Sequence, residues 1–362
     1  MNERSCVVMI TGSRRLAGGF VLAAALLTAT GLAARADDQS FAFGLWGDMP
    51  YARANDLPKI APLIADMNAS DIAFSLYDGD IKDGSSKCSD DVYTDAIKMF
   101  DALQKPAVYV PGDNEWTDCH RTNNGGYDNL ERLDHVRKVM FAGPESFGAT
   151  KMALDHQGKP GEKFAENVRF VHGNIVFVGL NIPGSNNNKV NSDKICTNKS
   201  ARTPEKCAAD NAEYAERDAA NVAWMHEAFE LAKSQKSPGI VLVMQADPWF
   251  DLPETEDVDE RQSSDDDGYT NFLAKVVEET KAFPGQVLYV HGDTHFFKLD
   301  KPLIKQSDLI ENFTRLETFG DNAANGTNDV NWVKVLVDPQ SREVFAFQPQ
   351  IVPANRVAVP VP

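Results

Sequence analysis

The chain is 362 residues long, 43% hydrophobic and 25% charged, with 53 acidic residues against 36 basic ones and a formal net charge of −17. That balance excludes partners that need a basic face, nucleic acid and anionic membrane surfaces above all. The length exceeds the usual domain but suits one large α/β unit with long insertions.

Residues 1–36 read as an export signal. Arg14 and Arg15 precede an apolar, Ala/Leu-rich stretch from Leu16 to Leu32, and Ala34-Arg35-Ala36 is the small-x-small triplet that a signal peptidase cuts. A membrane anchor is the competing reading, but Gly18, Gly19 and Gly31 break the run, which is marginal in length for a span. The arginine pair also suggests twin-arginine export, which Ala17 fits poorly. Cleavage near Ala36 predicts a mature single domain over 37–362, periplasmic or secreted, with no stable membrane association. Four basic residues and one acidic residue leave with the signal, so its net charge becomes about −20. Cys6 leaves as well, and the even number of remaining cysteines in an exported chain predicts disulfides. The expected pairs are Cys196–Cys207, closing a short polar loop, and Cys88–Cys119, tying two loops that each follow a strand-end aspartate. With no Cys-x-x-Cys, a zinc ribbon or thioredoxin-like site is disfavoured.

Along the mature chain, short β-branched or aromatic runs alternate with amphipathic helical stretches, the pattern of an α/β chain. In order, the spacing predicts a strand at 40–47, a helix at 56–68, a strand at 72–79, a helix at 90–104, a strand at 107–111 and a helix at 127–141. Strands follow at 168–172 and 175–181. The interval 183–210 is polar and Asn-rich and reads as a surface insertion. Ala215, Ala219, Val222, Met225 and Phe229 mark a helix, and 239–246 is the next strand. Between Asp251 and Asp267 lie nine acidic residues, read as a solvated insertion, with a mobile flap as the sharper alternative. A helix around Tyr269, Phe272, Val276 and Thr280 leads to strands at 286–291, 332–338 and 343–348. No internal repeat is evident.

Five times an apolar strand runs into an aspartate after a small residue: Gly47-Asp48, Gly79-Asp80, Gly112-Asp113, Ala246-Asp247 and Gly292-Asp293. Ligands of α/β sheets bind outside the carboxyl ends of strands, so these five side chains can converge on one crevice. One aspartate after glycine is ordinary turn chemistry; five in one chain are not. Converging carboxylates resist ionising together unless cations neutralise them, and two divalent ions bridged by a shared carboxylate do so while activating a water for attack on phosphorus. His295, two residues beyond Asp293, adds a nitrogen ligand.

Asp48-Met49-Pro50, Gly79-Asp80-Ile81-Lys82-Asp83, Gly112-Asp113-Asn114-Glu115, Asp247-Pro248 and Gly292-Asp293-Thr294-His295 together resemble the calcineurin-like metallophosphoesterase family. That family's pattern is D-x-H, G-D-x-x-D, G-N-H-D or G-N-H-E, a His before Pro, and G-H-x-H, and the match spans about 40–300 of this chain. The resemblance implies an α/β fold of four layers, α/β/β/α, in which two mixed sheets pack together with helices outside. It also implies that Asp48, Asp80 and His295 bind one metal, while Asp80 as bridge, Asp113, Asp247 and Asp293 bind another. Pro50, Asp113, Asp247 and Asp293 stand where the family has His, Asn, His and His. An oxygen-rich set suits Mn²⁺, Mg²⁺ or Ca²⁺ better than Zn²⁺, so one or two such divalent ions are expected. The family's proton-donating His is Asn114 here, which leaves His120 or His291 as substitutes; His135, His156, His172 and His226 read as structural or exposed.

The expected function is therefore exported, metal-dependent hydrolysis of a small-molecule phosphate ester, monoester or diester. The alternative is a degenerate relative that binds metal for a structural or binding role. A carboxylate-only glycosidase needs two acids, not five at strand ends.

Overall fold

The computed structural model describes residues 40–51, 53–253, 260, 267–321 and 328–357. The export-signal reading and most of the acidic stretch 251–267 lie outside these residues. Ala36–Pro362 forms one compact unit, and among the described residues no helix is long and apolar enough to cross a membrane.

The first sheet runs β12-β11-β1-β2-β3. Its β1 (Phe41–Trp46), β2 (Ser75–Tyr77) and β3 (Ala107–Tyr109) are parallel, while β11 (Trp332–Val337) and β12 (Phe345–Gln350) add antiparallel pairings. The second runs β4-β5-β6-β7-β8-β10-β9. Here β6 (Ile175–Gly179), β7 (Gly239–Val243), β8 (Gln286–His291) and β10 (Phe313–Glu317) are parallel. β4 (Asp155–His156), β5 (Val168–His172) and β9 (Lys298–Asp300) close its edges in antiparallel sense.

Alternation along the strands decides the layering, because successive side chains point to opposite faces. In β7, Val241 and Val243 enter the core shared with the first sheet, while Ile240 and Leu242 face a second cluster formed with helices. β8 repeats this with Leu288 and Val290 inward and Val287 and Tyr289 outward. Phe43 of β1 meets Phe177 of β6 edge-on at 5.2 Å between ring centroids, locking the two sheets face to face. Buried on both faces, the central strands read as unbroken apolar runs.

Helices α1 (Leu57–Ala69), α2 (Asp90–Asp101) and α3 (Asn129–Met140) contribute Leu63, Met67, Phe100 and Val136 to the first sheet's core. The 32-residue helix Pro204–Gln235 and the helix Thr270–Ala282 cover the second sheet through Met225, Phe229, Phe272 and Val276. Two mixed sheets between helical layers are thus the arrangement that the resemblance implies.

The structure corrects the sequence reading in two places. Strands β4, β9 and β10 were not anticipated, since β4 and β9 are too short to show a period and Phe313-Thr314-Arg315-Leu316-Glu317 carries a charge at its centre. Arg315 is nevertheless fully buried, its guanidinium paired with Asp300 and Glu260. Nor is 183–210 simply a surface insertion. Pro204 onward belongs to the long helix, whose first turn Thr203 caps, and Gly184, Asn187 and Asn188 are buried. Ser185, Asn186, Asn187 and Asn188 all have positive φ, making a left-handed turn. Asn tolerates that conformation through local hydrogen bonds, so the Asn-rich run encodes an inward turn. Both expected disulfides are present, Cys88–Cys119 and Cys196–Cys207.

Candidate metal centre

Every strand-end aspartate lies at the carboxyl end of a parallel strand: Asp48, Asp80 and Asp113 after β1, β2 and β3, and Asp247 and Asp293 after β7 and β8. Asp48, Asp80, Asp293 and His295 adopt positive φ. For non-glycine residues that is uncommon and costs on the order of 1–3 kcal/mol each, a kind of strain concentrated at functional sites. Close approach explains the preceding glycines. A Cβ on Gly292 would land inside the Asp48 carboxylate, and one on Gly112 inside that of Asp80.

Asp48, Asp80 and His295 each bring one ligand atom to within 4.8 Å of the others. The backbone N–H of Asp293 donates to Asp48 Oδ2 at 2.8 Å, joining the two sheets at the site. Asp48 Oδ1 is buried with no hydrogen-bond partner and lies 3.7 Å from His295 Nε2. His295 Nδ1 donates to the Asp321 carbonyl at 3.0 Å, which leaves Nε2 as the lone-pair nitrogen in the neutral ring; Tyr51 Oη donates to it at 3.0 Å. A ring N–H held by a backbone carbonyl is the usual support of a metal-ligating histidine. Asn114 clamps Asp80, its Nδ2 donating to Oδ2 at 2.6 Å and its backbone N to Oδ1 at 3.2 Å. Glu115 fastens the loops beneath by accepting from Ile81 N and Gly112 N.

Burial holds the Asp48, Asp80 and Asp293 carboxyls well above the ordinary carboxylate range, and neighbouring acids reinforce it: Asp78 and Asp293 for Asp48, Asp113 and Glu115 for Asp80, Asp113 and Asp247 for Asp293. A cation held by Asp48, Asp80 and His295 would remove that penalty, and the donor set, two carboxylates, one with an orphaned buried oxygen, and an imidazole nitrogen that Tyr51 would release, fits a divalent ion.

Of the expected second set, Asp80, Asp113 and Asp293 face one point, which the Gln245 side chain occupies, and Asp247 is not among them. Gly184 N–H donates to Gln245 Oε1 at 2.5 Å, fixing the amide orientation. Nε2 then faces Asp293 Oδ1 at 3.1 Å, Asp80 Oδ2 at 3.3 Å and Asp113 Oδ1 at 3.5 Å. An –NH₂ group donates and cannot ligate, so as arranged these residues do not fit a second ion. Asp247 turns elsewhere: it accepts from Trp249 N at 2.9 Å and groups with His291 and Glu317 within 4.8 Å, all three buried.

Of the two candidate proton donors, His291 is fully buried, its Nδ1 donating to the Gly292 carbonyl at 2.8 Å. His120 is pushed down to about 3 by burial and by Arg202 and Arg121, so its ring is neutral at neutral pH and carries no spare proton. A different chain of polar groups lies close by. Ser185 Oγ is 2.9 Å from Asp113 Oδ2 and 2.7 Å from Asp118 Oδ1. One hydroxyl has one proton to donate, and burial together with Asp113 pushes Asp118 up to about 8. Ser185 Oγ accepts from Arg121 Nη2 at 3.2 Å and donates to one of the two carboxylates at a time.

Gln245, Tyr51, Asp118, Ser185 and Glu317 were not singled out in the sequence. Only Gln245 carried a signal: it shares the parity of Val241 and Val243 on the inter-sheet face, where a lone polar residue is out of place. The others reach the site through loops and an unanticipated strand.

No family model matches the chain, and no curated protein does. Solved structures are similar in outline. A purple acid phosphatase from yellow lupin (Lupinus luteus) seeds aligns at 13% identity and a TM-score of 0.49 over 89% of this chain, which spans about half (53%) of that chain's length. GAP50, the anchor in the inner membrane complex of Plasmodium, aligns at 12% identity and 0.44 over 86% of this chain and 89% of its own. A 5'-nucleotidase from Candida albicans aligns at 12% and 0.40 over 85% of this chain and 50% of its own.

Proposed function

We propose that the chain is an exported hydrolase of small-molecule phosphate esters that works with a single divalent ion, Mn²⁺, Mg²⁺ or Ca²⁺ in preference to Zn²⁺. The observation that carries this reading is the convergence of Asp48, Asp80 and His295, with an unpartnered buried carboxylate oxygen, at the carboxyl ends of strands from two sheets. A divalent ion held there supplies charge neutralisation for a phosphoryl oxygen and acidifies a bound water. The chain's own residues do the rest. Asn114 keeps Asp80 in register, the Asp321 carbonyl fixes the His295 ring through Nδ1 while Tyr51 would yield Nε2 to the ion, and the Gln245 amide faces Asp80, Asp113 and Asp293 without a second ion. Two disulfides support the export reading, since such bonds persist in oxidising compartments.

The test is hydrolysis of an aryl phosphate by metal-free protein and by the same protein after each divalent ion is restored, with bound metal counted. Hydrolysis that needs one equivalent of ion, and is lost in His295→Ala, is the expected result; metal-independent hydrolysis would sink it. A second reading, binding without turnover, is favoured by Asn114 and Gln245 standing among the carboxylates where proton donors or ligands are needed. It predicts tight binding of one ion with no hydrolysis of any ester.

A further inference from the structure

Beside the carboxylates lies a cavity of about 530 Å³, within the range that encloses small ligands. Although the chain carries a net charge of −17, this cavity is lined by Arg121, Lys189, Lys199 and Arg202, with Asp118 as the one acidic residue of its lining. Arg121 pairs with Asp118 at 2.6 Å and its other guanidinium nitrogen donates to Ser185 Oγ at 3.2 Å, facing the cavity. His120 on the same wall registers the positive field, for Arg202 and Arg121 add to burial in pushing it down to about 3. Its Nδ1 is buried without a partner. Lys189 pairs with Asp267 and Arg202 with Asp210, whereas Lys199 is exposed and its ammonium has no partner among the described residues.

The cavity is also anchored. Cys119 beside His120 is joined to Cys88, and Cys196 beside Ile195 is joined to Cys207, so each of two lining loops is pinned by a disulfide. Ser185 lines the cavity and lies 2.9 Å from Asp113 Oδ2, and Asp113 in turn shares the Gln245 amide with Asp80, so the cavity adjoins the metal centre through these residues.

We propose that this cavity binds a second anionic group, a carboxylate or phosphate, on the leaving-group side of the phosphoester, so that the preferred substrates are small esters carrying a further negative charge. The inference rests on the phosphoesterase reading for its kinetic arm but not for its binding arm. The kinetic arm compares phenyl phosphate with 4-carboxyphenyl phosphate on metal-loaded wild type, Lys199→Gln and the Lys189→Gln/Lys199→Gln double variant. KM for the carboxylated ester should rise about tenfold in the double variant, the worth of one hydrogen bond to a charged group, while KM for phenyl phosphate stays within about twofold. Equal changes for both esters, or none for either, overturn the proposal. The binding arm titrates the same proteins calorimetrically with phenylphosphonate and 4-carboxyphenylphosphonate, which need no turnover. If wild type hydrolyses neither ester yet binds the carboxylated phosphonate more tightly, and the Lys189→Gln/Lys199→Gln double variant loses that preference, the cavity stands and the hydrolase reading falls. No preference for the carboxylated phosphonate in the wild type overturns the cavity assignment itself.

Discussion

Asp80 is the residue on which the centre turns, because its carboxylate meets the proposed ion position, the Asn114 clamp and the Gln245 amide at once. Asp80→Asn keeps the shape but removes the charge that holds a cation. Losing the charge-neutralising ion removes several kcal/mol of transition-state stabilisation, so aryl phosphate hydrolysis should fall at least about a thousandfold. Asp83→Asn is the control in the same loop: its Oδ1 only accepts from Ser85 N and Oγ, and its activity should stay within about threefold of wild type, the worth of one turn hydrogen bond. Comparable losses in both variants would contradict the assignment. Gln245 makes a separate prediction. In Gln245→Glu a donor facing three carboxylates becomes a fourth acid, so the metal-free variant should lose about 3 kcal/mol or more of stability. Bound metal should rise from one equivalent to two, as read by elemental analysis. A count that stays at one with unchanged stability would show that the amide does not hold that position.

At the level of elements, β7, β8 and β10 set Asp247, His291 and Glu317 side by side, while the left-handed turn after β6 delivers Gly184 N–H to Gln245 and Ser185 to Asp113. The disulfides fasten the loops that complete this work. Cys88–Cys119 spans 31 residues of sequence and Cys196–Cys207 spans 11. By loop-closure entropy their removal should cost about 3–4 and about 2–3 kcal/mol. Thermal unfolding of Cys88→Ser/Cys119→Ser and Cys196→Ser/Cys207→Ser proteins should follow that order. The first pair should also lower hydrolysis more, because Cys119 adjoins Asp118 and His120. The reverse order in both measurements would argue against loop anchoring.

The whole molecule, freed of metal, carries several buried acids whose folded forms hold protons. Asp118 is pushed up to about 8, Asp210 to about 6, and Asp48, Asp80 and Asp293 well above the usual range, in each case chiefly by burial. The unfolded chain releases such protons near pH 4. Between there and about pH 8 the folded state therefore binds more protons than the unfolded one, and stability falls as pH rises. Metal-free protein should show a melting temperature that declines from pH 5 to pH 8, and a saturating divalent ion should flatten most of the decline by neutralising Asp48 and Asp80. A metal-free melting temperature that climbs over this range would refute it.

What the amino-acid order determined by itself was the framework. Strands buried on both faces must be apolar throughout, small residues must precede acids that crowd one another, and cysteines of an exported chain tend to pair, so the α/β class, the five strand-end aspartates and both disulfides were legible, while the four-layer stacking was implied by the family resemblance of the motifs. Tertiary structure decided how the acids are shared out. Whether Asp80, Asp113 and Asp293 face an ion or an amide depends on Gln245, whose orientation is set by a backbone N–H from the turn at Gly184, distant in sequence. The grouping of Asp247 with His291 and Glu317 depends on β10 lying next to β8. Local periodicity carries no record of such contacts, because a side chain's chemistry in a crevice is fixed by whichever groups the chain crossings place within about 3 Å of it.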